Sequence, residues 1–315
     1  MHLAVYLPLL LPILAALATR PLTNRLNPKL ATWLLTVSAV ALAAASSAAL
    51  ALLALAGLAR IPLVDTLGHW STRVMQHDNP TALWIALIAG TLLTTAAVAA
   101  ARIFWRRARA LYAAAAEAAC LPGTGELVVM NDPAAEAFAM PGRPGRIVVS
   151  TGMLHALDPA ERDILLAHER AHLTGRHHLF TAAVQLAAAA NPLLRPLATT
   201  VAYTVERWAD EHAAAACGDR RRVARTVGKA ALAATRTGAR PRFPAAALGI
   251  LGLRPASPRT PGPVPRRVAA LLATPPARRT LPLAAATVAV LLVSAVCSIE
   301  AAHDLDALFD LAHLR

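Results

Sequence analysis

Four stretches of the chain contain no Asp, Glu, Lys or Arg and are long enough to form membrane-spanning helices. They cover residues 1–19, 30–59, 79–101 and 280–299. A helix needs about 20 apolar residues to cross the hydrocarbon core of a bilayer. A charge at the centre of such a helix costs roughly 2.5–3.5 kcal/mol. The pattern therefore predicts four transmembrane helices, with a long polar segment between the third and the fourth.

The first stretch has a second interpretation as a secretory signal peptide, because residues 16–18 read Ala-Leu-Ala, a cleavable pattern. A signal peptide carries its positive charges before the apolar run, whereas Arg20, Arg25 and Lys29 follow this one. A retained helix is the favoured interpretation. Hydrophobic residues make up 57% of the chain, which is too apolar for an ordinary soluble domain and agrees with this interpretation.

Basic residues flank these stretches unevenly and predict an orientation. Residues 20–29 carry three basic and no acidic side chains, residues 102–109 carry four arginines, and the loop 60–80 is balanced. Because basic loops stay on the cytoplasmic side, we expect the segment 102–279 inside the cell and the tail 300–315 outside. The protein is thus predicted to be a multi-pass protein of the plasma membrane.

The net charge of +13 fits this topology and attraction to anionic lipid, so membrane lipid is an expected partner. No basic groove interleaved with aromatic residues is evident, which argues against direct nucleic-acid binding. The three cysteines form no CxxC pair and argue against a disulfide scaffold. Nothing in the sequence indicates an oligomeric state.

The central segment changes from apolar runs to a mixed pattern of strands and helices. Short runs around residues 126–132 and 145–152 predict strands, and 135–140 is a third candidate. Asp158, Pro159 and Glu161 form a capping box with proline at the first turn, and Gly175 can end the helix, which predicts a helix over 159–174.

Two further parts of the segment have less defined predictions. The uncharged run between His178 and Arg195 is short for a span, so we expect a buried or interfacial helix there; a membrane entry of 179–204 stays open. The Pro- and Arg-rich stretch 239–279 predicts a semi-extended, poorly packed linker, and its arginine pairs 266–267 and 278–279 are interpreted as topology anchors.

The predicted helix 159–174 contains the pattern H-E-x-x-H at His168, Glu169 and His172. Residues four apart lie on one side of a helix, so both imidazoles can bind one zinc ion. Glu169 can reach a water on the open position of that ion. Downstream, Glu206 can supply the third ligand, and Asp210, one turn later, can accept a hydrogen bond from a ligand histidine.

The motifs HERAH and ERWAD, with the strand region 137–157, resemble membrane zinc peptidases of the BlaR/MecR type, metallopeptidase family 56, and their HtpX-type relatives in family 48. The resemblance spans roughly 126–232 and implies one Zn²⁺, bound by His168, His172 and Glu206. It also implies Glu169 as general base and Asp210 as a residue that orients a ligand. The large extracellular sensor of the BlaR/MecR receptors has no counterpart, which speaks against direct antibiotic sensing.

Several residues near the motifs are weaker candidates. Tyr203 is a possible donor to the transition state, and His212 is a poorer one. His177 and His178 are interpreted as surface residues outside the catalytic helix, and Trp208 as a packing residue. The strand 146–150 could pair with an extended substrate at a sheet edge.

Together these patterns predict a mainly α membrane protein with four transmembrane helices and a cytoplasmic α+β zincin-like peptidase domain inserted between spans three and four. The predicted boundaries are 1–109 for three spans, 110–238 for the peptidase domain, 239–279 for the linker, 280–299 for the fourth span and 300–315 for the tail. The resemblance implies regulatory, antirepressor-like cleavage of a protein substrate such as a transcriptional repressor. The alternatives are an HtpX-like quality-control protease and a catalytically silent transducer or scaffold.

Overall fold

A computed structural model of the chain describes residues 6–58, 83–123, 125–237 and 262–274, with isolated helical positions between 285 and 303. The described chain is mostly helical, with one small sheet. In chain order the elements are α1 Leu7–Arg25, α2 Pro28–Leu58, α3 Leu83–Cys120, β1 Leu127–Met130, β2 Ala137–Met140, β3 Arg146–Ser150, α4 Thr151–Ala156, α5 Pro159–Thr174, α6 His177–Ala190, α7 Arg195–Cys217, α8 Arg220–Arg236 and α9 Pro263–Leu272.

Two of the described helices are long and apolar enough to cross a membrane, judged by length and composition. They are Pro28–Ala56 in α2 and Leu83–Cys120, the whole of α3. The apolar part of α1, Leu7–Thr19, is shorter. The predicted fourth span, 280–299, lies outside the described residues apart from isolated positions, as does the tail 300–315. Two of the four predicted spans therefore have a counterpart of sufficient length.

The sheet has the strand order β1-β3-β2, with β1 parallel and β2 antiparallel to β3. Val148 lies at its centre, since it pairs with Val128 on one side and Phe138 on the other. The prediction that the strand 146–150 offers an edge to a substrate is therefore wrong. Both hydrogen-bonding sides of β3 are occupied by neighbouring strands, which leaves only β1 and β2 at the edges.

Helix α5 has the boundaries and caps that the sequence predicts. The Asp158 carboxylate accepts from the Glu161 backbone N–H at 2.8 Å, and the Glu161 carboxylate accepts from the Asp158 N–H at 2.9 Å. Gly175 follows as the C-terminal cap. The capping box satisfies two backbone donors that a helix start otherwise leaves without partners.

Helices α6 and α7 form a hairpin that packs against α1 and α2, and α6 also packs against α3. At its tip, the Asn191 side-chain amide donates to the Ser46 hydroxyl at 3.0 Å. At its other end, the hydroxyls of Thr32 and Thr204 are 2.9 Å apart. A shared apolar core joins the hairpin to α1 and α2; it includes Leu11, Leu35, Leu42, Phe180, Val184, Leu197 and Val201.

The site-bearing part of α7 contacts the last turn of α1 and the first turn of α2. Arg207 donates to the backbone carbonyl of Thr23 at 3.1 Å, and the Lys29 ammonium lies 5.6 Å from the centre of the Trp208 ring. Both contacts lie within one turn of Glu206 on α7. They fix the height of this helix relative to the start of α2.

Helix α9 lies inside the stretch 239–279 that the sequence analysis predicts as a poorly packed linker. That prediction is wrong for Pro263–Leu272, which is helical and packs against α7 and α8. Leu271 is buried in a core with Ile164 and Val227. Residues 238–261 and 275–279 of the chain lie outside the described residues.

Candidate metal centre

Helix α5 brings His168, Glu169 and His172 together in the interior of the protein. All three residues are at most 1% exposed. Helix α7 packs across α5 and presents Glu206 and Asp210, which are one turn apart, towards the two histidines. The structure therefore brings together every residue of the predicted ligand set, although the ligands lie on two separate helices.

The ligand atoms of His168, His172 and Glu206 all lie within 4.8 Å of one another. The two histidine Nε2 atoms are 3.1 Å apart, and the Glu206 carboxylate oxygens lie 3.7 Å from Nε2 of His168 and 3.6 Å from Nε2 of His172. Ligands about 2.0–2.2 Å from a tetrahedral zinc ion lie about 3.3 Å from each other. The three residues therefore fit a single zinc ion, with a fourth position left for water or substrate.

The second ring nitrogen of each histidine also has a partner. Nδ1 of His168 lies 3.1 Å from a carboxylate oxygen of Asp210, as the spacing of Glu206 and Asp210 predicts. Nδ1 of His172 lies 2.9 Å from Nδ1 of His177. Such contacts fix the orientation and tautomer of a metal-binding imidazole.

His177 is a correction to the sequence analysis, which interprets it as a surface residue. Its side chain is 0% exposed, and its ring lies 4.5 Å from the Trp208 ring, centre to centre. His178 is only half-buried. His177 lies beyond Gly175, outside the catalytic helix. The helix pattern of the sequence does not predict the direction of the chain after the turn, so it does not predict the burial of His177.

Arg267 is the functional residue that the sequence analysis assigns wrongly, as a topology anchor. Its guanidinium is 2% exposed, donates twice to the Asp210 carboxylate at 2.8 and 2.6 Å, and lies 2.9 Å from Glu206. A sequence signal for it exists in Val264, Val268 and Leu271, whose spacing marks an apolar helix face that includes position 267.

These contacts set the charge of the site. Burial raises the pKa of Glu206 and of Asp210, but the charge of Arg267 and the contacts with the ligand histidines together outweigh it and hold both carboxyls below their usual pKa. Burial lowers the pKa of His168, yet the adjacent carboxylates of Asp210 and Glu206 overcome it and raise the pKa to about 9. Burial lowers the pKa of His177 to about 3. The two acidic residues are thus ionised and His177 is neutral near pH 7.

Two weaker candidates lie near the ligands on α7. The Tyr203 hydroxyl donates to the backbone carbonyl of Arg266 at 3.4 Å, and the Arg266 guanidinium lies 4.3 Å from the Tyr203 ring centre. His212 is exposed. A role for Tyr203 in stabilising a transition state stays a prediction, while Trp208 packs against His177 and Phe180 as expected of a packing residue.

A comparison with protein families adds a finding from outside the geometry. The model of peptidase family M48 matches residues 104–190. The match supports the M48 family. It includes the sheet and α5 with His168, Glu169 and His172, and it ends before Glu206, whose place in the site rests on the geometry alone. No curated protein and no solved structure matches the chain.

The M48 match bears on two expectations drawn from the sequence. It supports the HtpX-type branch of the resemblance, family 48, and does not confirm the BlaR/MecR branch, family 56. M48 peptidases are typically metal-dependent, which agrees with the group of His168, His172 and Glu206. Metallopeptidase chemistry is the coarse function that these observations support.

Proposed function

We propose that this chain is a membrane-bound, zinc-dependent endopeptidase that cleaves membrane-proximal proteins on the cytoplasmic side. The observation that carries the proposal is the group of His168, His172 and Glu206, whose ligand atoms all lie within 4.8 Å of one another. The M48 match supports the reaction class, and the apolar helices α2 and α3 support attachment to a membrane.

The mechanism follows from the residues around the zinc site. When bound, zinc would polarise the scissile carbonyl and acidify a water molecule. Glu169 is buried next to His168 in α5 and is the group that would accept the proton of that water and pass it to the leaving amine. Asp210 would hold the His168 ring, and Arg267 would hold the carboxylates of Asp210 and Glu206 in place.

Arg267 also makes the site nearly balanced in charge before the metal binds. Its guanidinium lies against two carboxylates and within electrostatic reach of Glu169. A buried carboxylate without a cation is strongly unfavourable. Arg267 therefore allows Glu206 and Asp210 to stay ionised inside the protein.

The biological role has two forms. Removal of damaged membrane proteins, as in HtpX-like proteases, is favoured by the M48 match. Regulated cleavage of a transcriptional repressor is the narrower role that the BlaR/MecR-type resemblance implies. Cells lacking the protein would accumulate misfolded membrane proteins under the first role and show one missing cleavage product under the second.

The test of the enzyme itself uses the full chain in detergent or nanodiscs. We expect bound zinc in the purified protein and its loss in His168→Ala. In Glu169→Gln we expect zinc to be retained and cleavage of casein, or self-cleavage, to fall at least about 100-fold, because the general base is removed. Glu126→Gln, which removes a carboxylate of an exposed ion pair with Arg170, is the control.

Each outcome separates two interpretations. A chain without zinc would contradict the metal site. A chain with zinc and equal, low activity in the wild type and in Glu169→Gln would instead identify a catalytically silent transducer or scaffold.

A further inference from the structure

The turn between α5 and α6 places His177 next to the predicted metal ligand His172, on the side of the His172 ring that faces away from the other ligands. Nδ1 of His177 lies 2.9 Å from Nδ1 of His172, and the two rings are perpendicular, at 88°. His177 is fully buried although it begins a new helix. Such complete burial against another histidine is not expected of a histidine at the protein surface.

The direction of this hydrogen bond follows from the orientation of His172. Its Nε2 faces His168 and Glu206, so a neutral ring that binds a metal through Nε2 carries its proton on Nδ1. This tautomer is inferred from the contacts. Because two ring nitrogens face each other, one must donate and the other accept; Nδ1 of His172 donates, and Nδ1 of His177 accepts.

The backbone of the turn is shaped around the His177 ring. A Cβ atom at Gly175 would clash with Nε2 of His177 and lie 2.7 Å from its Cδ2 and 2.8 Å from the Ala171 carbonyl oxygen. Arg176, the next residue, has φ = 48°, in the left-handed region that residues with a Cβ rarely adopt. Strained backbone of this kind persists where the surrounding contacts determine it, and it concentrates at functional sites.

The His177 ring also contacts the second helix of the site. Its centre lies 4.5 Å from that of Trp208, two residues beyond Glu206. The His177 ring therefore contacts both helices of the site: α5, which supplies two of the predicted ligands, and α7, which supplies the third.

We propose that His177 is a positioning residue for the metal centre: it accepts the Nδ1 proton of His172 and thereby fixes the tautomer and orientation of that ligand. The role rests on the proposed zinc site and goes beyond it, because His177 itself contacts no metal. Partners of this kind typically change metal affinity or activity about 10–100-fold when they are removed.

The test compares two substitutions that separate hydrogen bonding from packing. His177→Phe keeps an aromatic ring and removes the acceptor, whereas His177→Asn keeps an acceptor oxygen near the position of Nδ1 and removes the ring. We expect zinc affinity, measured by chelator competition, to fall about 10–100-fold in the Phe variant and to be largely retained in the Asn variant. The absorption spectrum of the Co²⁺-loaded protein should change in the Phe variant alone.

A second pair of variants tests the turn without altering the histidine. Gly175→Ala should displace the His177 ring and reduce zinc affinity, while Arg176→Gly, which suits a positive φ, should leave affinity unchanged. Thermal unfolding of the metal-free variants checks that each is folded.

The outcomes distinguish this role from the zinc site on which it rests. Full zinc affinity in His177→Phe, or equal losses in the Phe and Asn variants, would overturn the hydrogen-bonding role while the wild-type chain still binds zinc. Absence of zinc from the wild-type chain would overturn the metal site itself.

Discussion

Arg267 is the residue whose environment departs most from its place in the sequence. It belongs to a Pro- and Arg-rich stretch, yet its guanidinium is buried between Glu206 and Asp210. An arginine matches a carboxylate with two parallel hydrogen bonds, which a lysine cannot do. Its neighbour Arg266 is exposed and lies over Tyr203. These two adjacent arginines thus differ in burial and in the contacts that they make.

Removal of the Arg267 charge should destabilise the metal-free protein. We expect Arg267→Leu to lower the free energy of unfolding by about 3–5 kcal/mol, because it leaves two buried carboxylates without their cation. Thermal and denaturant unfolding of the full chain measures the effect. Arg266→Leu is the matched control and should stay within about 0.5 kcal/mol. Equal effects in the two variants would contradict the buried ion pair.

Zinc binding should depend on pH through His168. With its pKa raised to about 9, this ring is protonated in the metal-free protein at pH 7 and must lose its proton to bind a metal. Affinity should therefore rise about tenfold per pH unit up to about pH 9 and then level off. Calorimetry in buffers of different ionisation enthalpy should detect about one proton released at pH 7. A pH-independent affinity between 7 and 8.5 would contradict the protonated His168.

Glycines show how tightly single elements are fitted to their neighbours. Gly152, in the first turn of α4, has the Pro133 carbonyl group directly against the position of a Cβ atom. Gly228, in α8, has open space at that position. The same substitution should therefore have opposite effects in these two helices.

Gly152→Ala should destabilise the protein by about 1–3 kcal/mol, because the neighbouring backbone must move. Gly228→Ala should stabilise it by about 0.5–1 kcal/mol, since alanine is the better helix former. The comparison needs only the unfolding temperatures of the two variants and the wild type. A shift of the same sign in both would show that the α4 contact is less tight than the structure describes.

How far the sequence predicts each element depends on how local its determinants are. The sequence predicts helix α5 with its boundaries, because its capping box, its proline and its terminal glycine lie within the helix or next to it. The partnership of Asp210 with a ligand histidine followed from the spacing of α7. The central position of β3, the helix α9 and the buried His177 depend on contacts between distant segments, which no local pattern contains.

At the scale of the whole molecule, the α6–α7 hairpin lies alongside α2. Ser46, which contacts the hairpin tip at Asn191, is 18 residues beyond Pro28 and thus about 27 Å along the helix. The hydrocarbon core of a bilayer is about 30 Å thick. If α2 spans the membrane, the hairpin must enter the bilayer deeply. For residues 179–204, membrane entry is the less favoured of the two interpretations in the sequence analysis.

A label at the hairpin tip tests this depth. In a chain with its three cysteines replaced by serine, the free thiol of Leu193→Cys, a tip position that is 46% exposed, should not react with a membrane-impermeant maleimide from the cytoplasmic side. In a separate sample, a fluorophore attached to this thiol should be quenched by brominated lipid. Arg221→Cys, exposed on α8, is the control and should show the reverse. Equal maleimide reactivity at both positions would place the hairpin in water.

The contacts of α7 with Thr23 and Lys29 have a consequence for the choice of scissile bond. They hold Glu206 at a fixed height relative to the start of α2, so in a membrane the metal centre would lie at a fixed distance from the bilayer surface. A substrate anchored in the same bilayer would be cut at a set number of residues from its own span, whatever the local sequence. Shifting the anchor of a model substrate by one or two residues would then move the cut by the same number.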